Sequence, residues 1–531
     1  MYVSLVYRFN ELWGMQLALK LRSPFFMAHD VGTTGDKATI WDSEGNLAAS
    51  HVATYPTLHP KEGWAEQDPQ DWWSAFVTAT RELMKMSQLS PDEVETVSFS
   101  GQMMSSLPIS KEGEPLSRSI IWMDTRSARQ AEVIKTNLGE VDYYKTSGLP
   151  LSPTWSLPKI MWLRDNKPEI FKKAHRFLQA KDFIVAKLTG EFFTDYSDAS
   201  LSGALNVNKG EWAYQLLQDL KIPAGKLPTI KASTYIAGEL GAGVAKYLGL
   251  ASGTKIVIGG GDGPCAAVGA GAVKEGMMYN YIGASSWISV CTSKPLFDDR
   301  MRIFSMWHLD PHLMTPTGTM QMAGGSYEWL KTVMCESEES VSKVLGSSAY
   351  DVMNLEAERV TPGSSKLLYL PYLMGERAPW WNPQARAVFL GLSRSHGRGH
   401  IIRAVIEGVF FNLKVILEVF GELGYKPYEM RSIGGGSKAD LWRQIACNIY
   451  GIPLLFSKYP EEATSLGAAV AAMVAVGALR SFEDAQRLIC FEERVEPNSE
   501  IVSRYRKSYE LFKRLYLTLE PIFDDLAELS S

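Results

Sequence analysis

Residues 25–42 read Phe-Phe-Met-Ala-His-Asp-Val-Gly-Thr-Thr-Gly-Asp-Lys-Ala-Thr-Ile-Trp-Asp. Two apolar runs, 25–30 and 37–42, flank the turn-forming stretch Val31-Gly32-Thr33-Thr34-Gly35-Asp36. The pattern is strand, Gly/Thr turn, strand. A lone hairpin decides nothing, but this one returns in the second half. There 277–282 (MMYNYI) is followed by Gly283-Ala284-Ser285-Ser286 and then by 287–291 (WISVC). One such unit near the start of each half predicts two domains of similar build.

Outward from these hairpins, helical and strand patterns alternate. Apolar residues at helical spacing predict helices over 68–86, 155–166, 181–189, 400–420, 439–450 and 465–476, and an amphipathic helix over 501–529. Buried-strand runs stand at 95–100, 255–258, 366–370 and 431–433. Such alternation implies α/β domains with helices covering sheets. A chain of 531 residues exceeds the ~250–300 residues one hydrophobic core can serve, so two bodies with a cleft between them are expected.

Composition narrows the function classes. With 46% hydrophobic and 21% charged residues, the chain is an ordinary globular protein. Its net charge of −5 leaves no basic excess to attract nucleic acid or an anionic membrane surface. The apolar run 465–479 falls short of the ~20 residues a bilayer requires. Residues 1–24 interrupt their apolar stretches with Arg8, Glu11, Lys20 and Arg22, a poor signal peptide. Five scattered cysteines (265, 291, 335, 447, 490) without a C-x-x-C argue for a reducing, cytoplasmic compartment and against a zinc site.

Four glycine- or hydroxyl-rich segments leave strands: 32–35 (GTTG), 259–262 (GGGD), 283–286 (GASS) and 434–437 (GGGS). Glycine lets backbone N–H groups approach phosphate oxygens, and hydroxyls add donors. Four such turns divided between two halves suggest a nucleotide held between domains. No P-loop and no strand-linked G-x-G-x-x-G is present. Asp30 precedes the first turn and Asp262 closes the second. Asp262 before Pro264 could cap a helix. At the end of a glycine turn it could also take the proton of an attacking hydroxyl or hold Mg²⁺, while Asp30 would orient Mg²⁺ or its waters.

The sequence resembles the FGGY family of carbohydrate kinases, most of all its xylulokinase branch, from about Met27 to the C-terminus. The segments that carry the resemblance include 30–37 (DVGTTGDK), 62–73 (EGWAEQDPQDWW), 100–103 (SGQM), 120–126 (IIWMDTR), 180–192 (AKDFIVAKLTGEF), 259–271 (GGGDGPCAAVGAG), 370–392 (LPYLMGERAPWWNPQARAVFLGL) and 434–451. The resemblance implies two actin-like, RNase H-like ATPase domains, 25–272 and 273–531, with ATP and a sugar in the interdomain cleft. Residues 1–24 stand outside the pattern.

By position, Asp262 resembles the family's catalytic base, and Asp30 with Asp262 its Mg²⁺ ligands. Gly32, Thr33, Thr34 and Lys37 resemble a first phosphate-binding element, and Gly283, Ser285 and Ser286 a second. Gly434, Gly435, Gly436 and Ser437 resemble the adenosine-site turn. Gln102, Met103, Met104, Asp124, Arg126, Asp262 and Gly263 fall where the family shapes its sugar pocket; Asp124 and Arg126 could equally form a plain ion pair.

Three departures bear on substrate. The branch usually has His where Met104 stands, Asn where Gly263 stands and Thr where Ala284 stands. The first two remove polar readers of sugar hydroxyls, which weakens the case for D-xylulose. The resemblance implies ATP-dependent conversion of D-xylulose to D-xylulose 5-phosphate. Another pentulose, or a polyol such as glycerol, is the alternative. From a different class, an actin- or chaperone-like ATPase module would share the phosphate loops but need no sugar segments. The expected partners are ATP and a small sugar, and a homodimer is compatible with the sequence.

Overall fold

The computed structural model describes residues 21–529, so the expectations for residues 1–24 lie almost wholly outside the described residues. Phe25–Val31 (β1) is apolar nearly end to end, as a strand with both faces covered must be. It pairs antiparallel with Gly35–Asp42 (β2), and β2 pairs antiparallel with Leu47–Thr54 (β3). On its other side β1 runs parallel to Val94–Gly101 (β4). Ile236–Glu239 (β5) and Lys255–Gly261 (β6) complete the sheet, in the order β5-β6-β4-β1-β2-β3.

The second half builds the same object. Met278–Ile282 (β7), Ser286–Val290 (β8) and Thr317–Met320 (β9) form the antiparallel meander. Met430–Ile433 (β10) and Leu454–Ser457 (β11) add in parallel, and Phe491–Val495 (β12) closes the edge. Starting from β3 or β9, both sheets show two antiparallel pairings, two parallel ones and an antiparallel edge strand. The duplicated plan expected from the two hairpins, and the actin-like fold the resemblance implies, are therefore present. The halves differ at that edge strand, which precedes its neighbour in the chain in the first half and follows it in the second.

Among the helices, Pro69–Ser87 (α1) starts at Asp68, whose carboxylate accepts the Gln70 N–H at 2.9 Å, and covers β2 and β3. Ala180–Thr189 (α2) lies against β4 and β6. Asp262–Gly269 (α3) follows β6 without a loop, and Arg398–Glu422 (α4) runs through the second core. Asp440–Tyr450 (α5) follows β10, Ala463–Ala475 (α6) follows β11, and Ser499–Glu528 (α7) closes the chain.

The alanine-rich α6 is buried throughout 463–473 and lies on β1, β4 and β6 of the first sheet as well as on α3. Small residues permit that crossing. A Cβ on Gly269 would fall 1.7 Å from the Ala463 carbonyl oxygen, and one on Gly467 would fall 1.9 Å from that of Cys265. Among the described residues no helix is long and apolar enough to cross a membrane.

Candidate active site

β1 delivers Asp30 to its C-terminal end, in register with Ser100 on β4 and Lys37 on β2. Ser100 Oγ donates to Asp30 Oδ1 at 2.9 Å. Burial pushes the Asp30 carboxyl up to about 6, although the Ser100 bond and the Lys37 charge act in the other direction. β6 ends at Gly261, and the next residue, Asp262, begins α3. Asp262 Oδ1 accepts the N–H of Gly263 at 2.7 Å. Burial raises this carboxyl to about 7; the Asp30 charge adds to the rise, while the Gly263 bond and the charge of Arg377 oppose it. Asp262 is the first residue inside the helix, with Gly261 in the capping position, so its capping role reduces to that one bond.

The glycines before it correct the sequence reading. Gly259–Gly261 form the end of β6, not a turn; Gly259, at φ 68°, packs on backbone, and the other two pack on side chains. A Cβ would fall 1.7 Å from the Phe99 carbonyl oxygen at Gly259, 2.2 Å from Leu309 at Gly260 and 2.4 Å from the Met103 sulfur at Gly261. They bring β6 close to its neighbours, and this close packing places Asp262.

The first turn is held from behind. Trp122 Nε1 donates to Thr33 Oγ1 at 2.8 Å, Gln67 Nε2 to Thr33 O at 2.6 Å, and Gln102 Nε2 to Gly32 O at 3.0 Å. Thr34 is left exposed. Lys37 faces Asp30 but donates to the carbonyl of Glu461 in the second half, 2.8 Å away. In the second turn, Gly283 and Ser285 are half-buried and Ala284 is exposed. Ser286, expected in the phosphate site, is buried with its hydroxyl on the Tyr281 carbonyl, because it is the first residue of β8 and points into the sheet. Tyr281 ties this turn to the acids: burial, then the charges of Asp30, Asp262 and Glu461, raise its hydroxyl above the usual range.

In the third turn, Gly434 adopts φ 90°, and Gly436 packs against Ile282, 2.4 Å from where its Cβ would lie. Gly435 is exposed beside Glu461. Ser437 is also corrected: its buried hydroxyl donates to Gly434 O at 2.6 Å and closes the turn on itself.

The residues expected on the sugar side differ in how they are held. Met103 lies under Gly261, and Met306 lies 2.9 Å from where a Gly263 Cβ would be. Met104 adopts φ 66° while its carbonyl accepts the ammonium of Lys159 at 2.9 Å. Lys159 also donates to Ile121 O and Thr154 O, and burial pushes it down to about 7. Asp124 and Arg126 form the plain ion pair that was the alternative for them. Arg126 donates to both Asp124 oxygens and to Glu66, and stacks 3.6 Å over Trp64. Both side chains are buried and fully engaged, so they brace the pocket wall. Gln102 is buried too; it positions the first turn, with Oε1 left unpartnered.

Two sets of residues escaped the sequence reading. Ser197 Oγ accepts the Gly261 N–H at 2.9 Å and donates to Asp195 Oδ2 at 2.5 Å. Asp195 in turn meets the buried Lys181, 3.0 Å away, which also holds Asp182 and Asp198. Lys181 and Asp182 stand within a segment quoted for the resemblance, but Asp195 and Asp198 lie beyond it in the sequence. The other is Arg377, from the second half, whose charge acts on Asp262 and which lies 5.4 Å above the ring of Trp122.

The two acids belong to the first half and two of the three turns to the second. That division defines a two-domain, actin-like phosphotransferase with an alcohol group as acceptor. Residues 25–269 match the N-terminal domain of the FGGY family of carbohydrate kinases, and residues 278–476 match its C-terminal domain. The chain belongs to that family.

It is 32% identical to the gluconokinase of Bacillus subtilis (strain 168) over 507 residues, 95% of this chain and 98% of that one. It is 30% identical to the xylulose kinase of the same organism over 490 residues, 92% and 95% of the two chains. A solved gluconate kinase from Lactobacillus acidophilus superposes with a TM-score of 0.87 at 28% identity, covering 95% of this chain and all of the other. Gluconokinase, which the sequence reading did not consider, thus stands level with xylulose kinase among its relatives.

Proposed function

We propose that the protein uses ATP to phosphorylate a terminal hydroxyl of an open-chain sugar, with Asp262 as the general base. The observation that carries this reading is the placement of Asp262. It is a half-buried carboxyl at the junction of β6 and α3 with one oxygen engaged by Gly263, beside a second acid and across from an arginine of the other half. Its free oxygen accepts the hydroxyl proton as the sugar oxygen bonds to the γ-phosphorus. The bond from that phosphorus to the bridging oxygen breaks, and ADP leaves with the electron pair.

Gly32, Thr33, Thr34 and Lys37 on one side, with Gly283 and Ser285 on the other, are the proposed phosphate contacts. Gly434, Gly435 and Gly436 would lie under the nucleoside. The donor set fits Mg²⁺: Asp30 and Asp262 offer carboxylate oxygens, and among the described residues no group of three or more His, Cys, Asp and Glu is placed to hold a metal ion by itself. Such a site suits a cation that takes most of its ligands from phosphate and water. Bound there by Asp30 and Asp262, Mg²⁺ would neutralise charge on the phosphoryl oxygens. The two halves, 25–272 and 273–531, would close on the substrates and exclude water.

The proposed acceptor is D-xylulose, giving D-xylulose 5-phosphate. D-Gluconate is the second reading, favoured by the gluconokinase relative and by a pocket whose Met104 and Gly263 lack the polar groups expected of a xylulose site. Initial rates of ADP release with D-xylulose, D-gluconate, other pentuloses and glycerol test the assignment. The acceptor with the highest kcat/KM is the substrate, and a preference for glycerol would remove both readings.

A further inference from the structure

Basic side chains around the cleft are nearly all engaged within the protein. Arg126 is bound to Asp124 and Glu66, Lys159 to three carbonyls, Lys181 to three carboxylates and Lys37 to the Glu461 carbonyl. Arg377 differs. Its Nε is buried without a hydrogen-bond partner, and no carboxylate pairs with its guanidinium. It lies over the face of Trp122, the side chain that donates to Thr33 of the first turn.

The backbone on either side of this guanidinium is anchored. Glu376 Oε1 accepts the N–H of Gln321 at 2.6 Å and that of Arg377 at 2.8 Å, while Asn412 donates to its other oxygen at 3.1 Å. The N–H of Trp381 binds the Arg377 carbonyl at 2.6 Å. That buried Nε has lost hydration without gaining a protein partner, which is costly unless a ligand supplies an acceptor.

From this placement we infer that Arg377 is a catalytic residue that grips the transferred γ-phosphoryl group from the second half while Asp262 acts on the acceptor hydroxyl from the first. The inference rests on the kinase reading above. A planar fork of donors matches two phosphoryl oxygens, and charge placed there is most effective where transfer spreads negative charge over them. Trp122 thus links the guanidinium it underlies to Thr33 of the first turn.

The test compares wild type with R377M and R377K in two measurements. In sugar-dependent ADP release, R377M should lose ~10²–10³-fold in kcat with sugar KM nearly unchanged, and R377K should fall between them. In calorimetric titrations without sugar, a non-hydrolysable ATP analogue should bind R377M about tenfold more weakly. ADP, which lacks the γ-phosphate, should bind as it does to wild type. A folded R377M with wild-type kcat overturns the inference. So does an equal loss of analogue and ADP binding, or a loss confined to sugar KM. If R377M fails to fold, R377K decides by the same two measurements. If wild type turns over with none of the sugars, the kinase reading fails, while the two titrations still decide whether Arg377 meets the γ-phosphate.

Discussion

Asp262 is under opposing demands. A base must be anionic, yet burial and the charge of Asp30 favour its neutral form and raise its carboxyl to about 7 from an ordinary 3.8. The folded protein therefore holds, between about pH 4 and 7, a proton that the unfolded chain releases. Wild-type stability falls as pH rises through that window. Asn at this position cannot ionise and keeps the bond to Gly263. D262N should melt higher than wild type at pH 8 in metal-free buffer, with the advantage shrinking toward pH 4.5, as scanning calorimetry at both pH values would show. The same variant should lose ~10²–10⁴-fold in turnover while ADP binding persists. A melting advantage that does not change with pH would mean the carboxyl is not perturbed.

Ser197 acts one step back from the chemistry, since its hydroxyl joins the Gly261 N–H to Asp195 and through it to the buried Lys181. S197A should lower kcat about tenfold with KM within about twofold, because a small displacement of a reacting group affects the chemical step more than binding. A change in KM alone would assign Ser197 to the pocket.

At the scale of elements, the crossing of α3 and α6 joins the end of the first half to the second. It depends on missing side chains, since any Cβ at Gly467 meets the Cys265 carbonyl at 1.9 Å. G467A should lower Tm by several degrees or prevent soluble expression. G243A is the control, because Gly243 stands in the helix Ala242–Leu248 with nothing near its Cβ position, and it should leave Tm unchanged or slightly higher. Equal melting of the two variants would remove the packing account of the crossing.

These glycines also mark how far a sequence can be read. The hairpins around Gly32 and Gly283 were legible because short apolar runs broken by Gly, Thr and Ser are a local signal. Gly259–Gly261 were misread as a ligand turn because two uses of glycine, a permitted φ and an absent Cβ, look identical in one dimension. Ser286 and Ser437 carried the right chemistry in the wrong direction. Strand alternation turns Ser286 into the sheet, and Ser437 bonds its own turn. Short edge strands such as Ile236–Glu239 have too few residues for any periodicity. Arg377 gave no sign of its isolation, because the Trp122 face it covers is remote in sequence and its lack of a partner is a property of the folded cleft.

For the whole molecule, duplication is the mechanism. One half brings two acids and the first turn; the other brings two turns and Arg377. Lys37 reaches the Glu461 carbonyl from one half to the other beside the exposed Gly435. If the proposed centre is divided in this way and closes on both substrates, ATP alone should be turned over slowly. The most direct measurement is ADP release by the purified protein with ATP and Mg²⁺, with and without D-xylulose, D-gluconate and the other acceptors. The account predicts that ADP release rises at least a hundredfold with one of these acceptors, in step with formation of its phosphate ester. ADP release indifferent to every acceptor would contradict it.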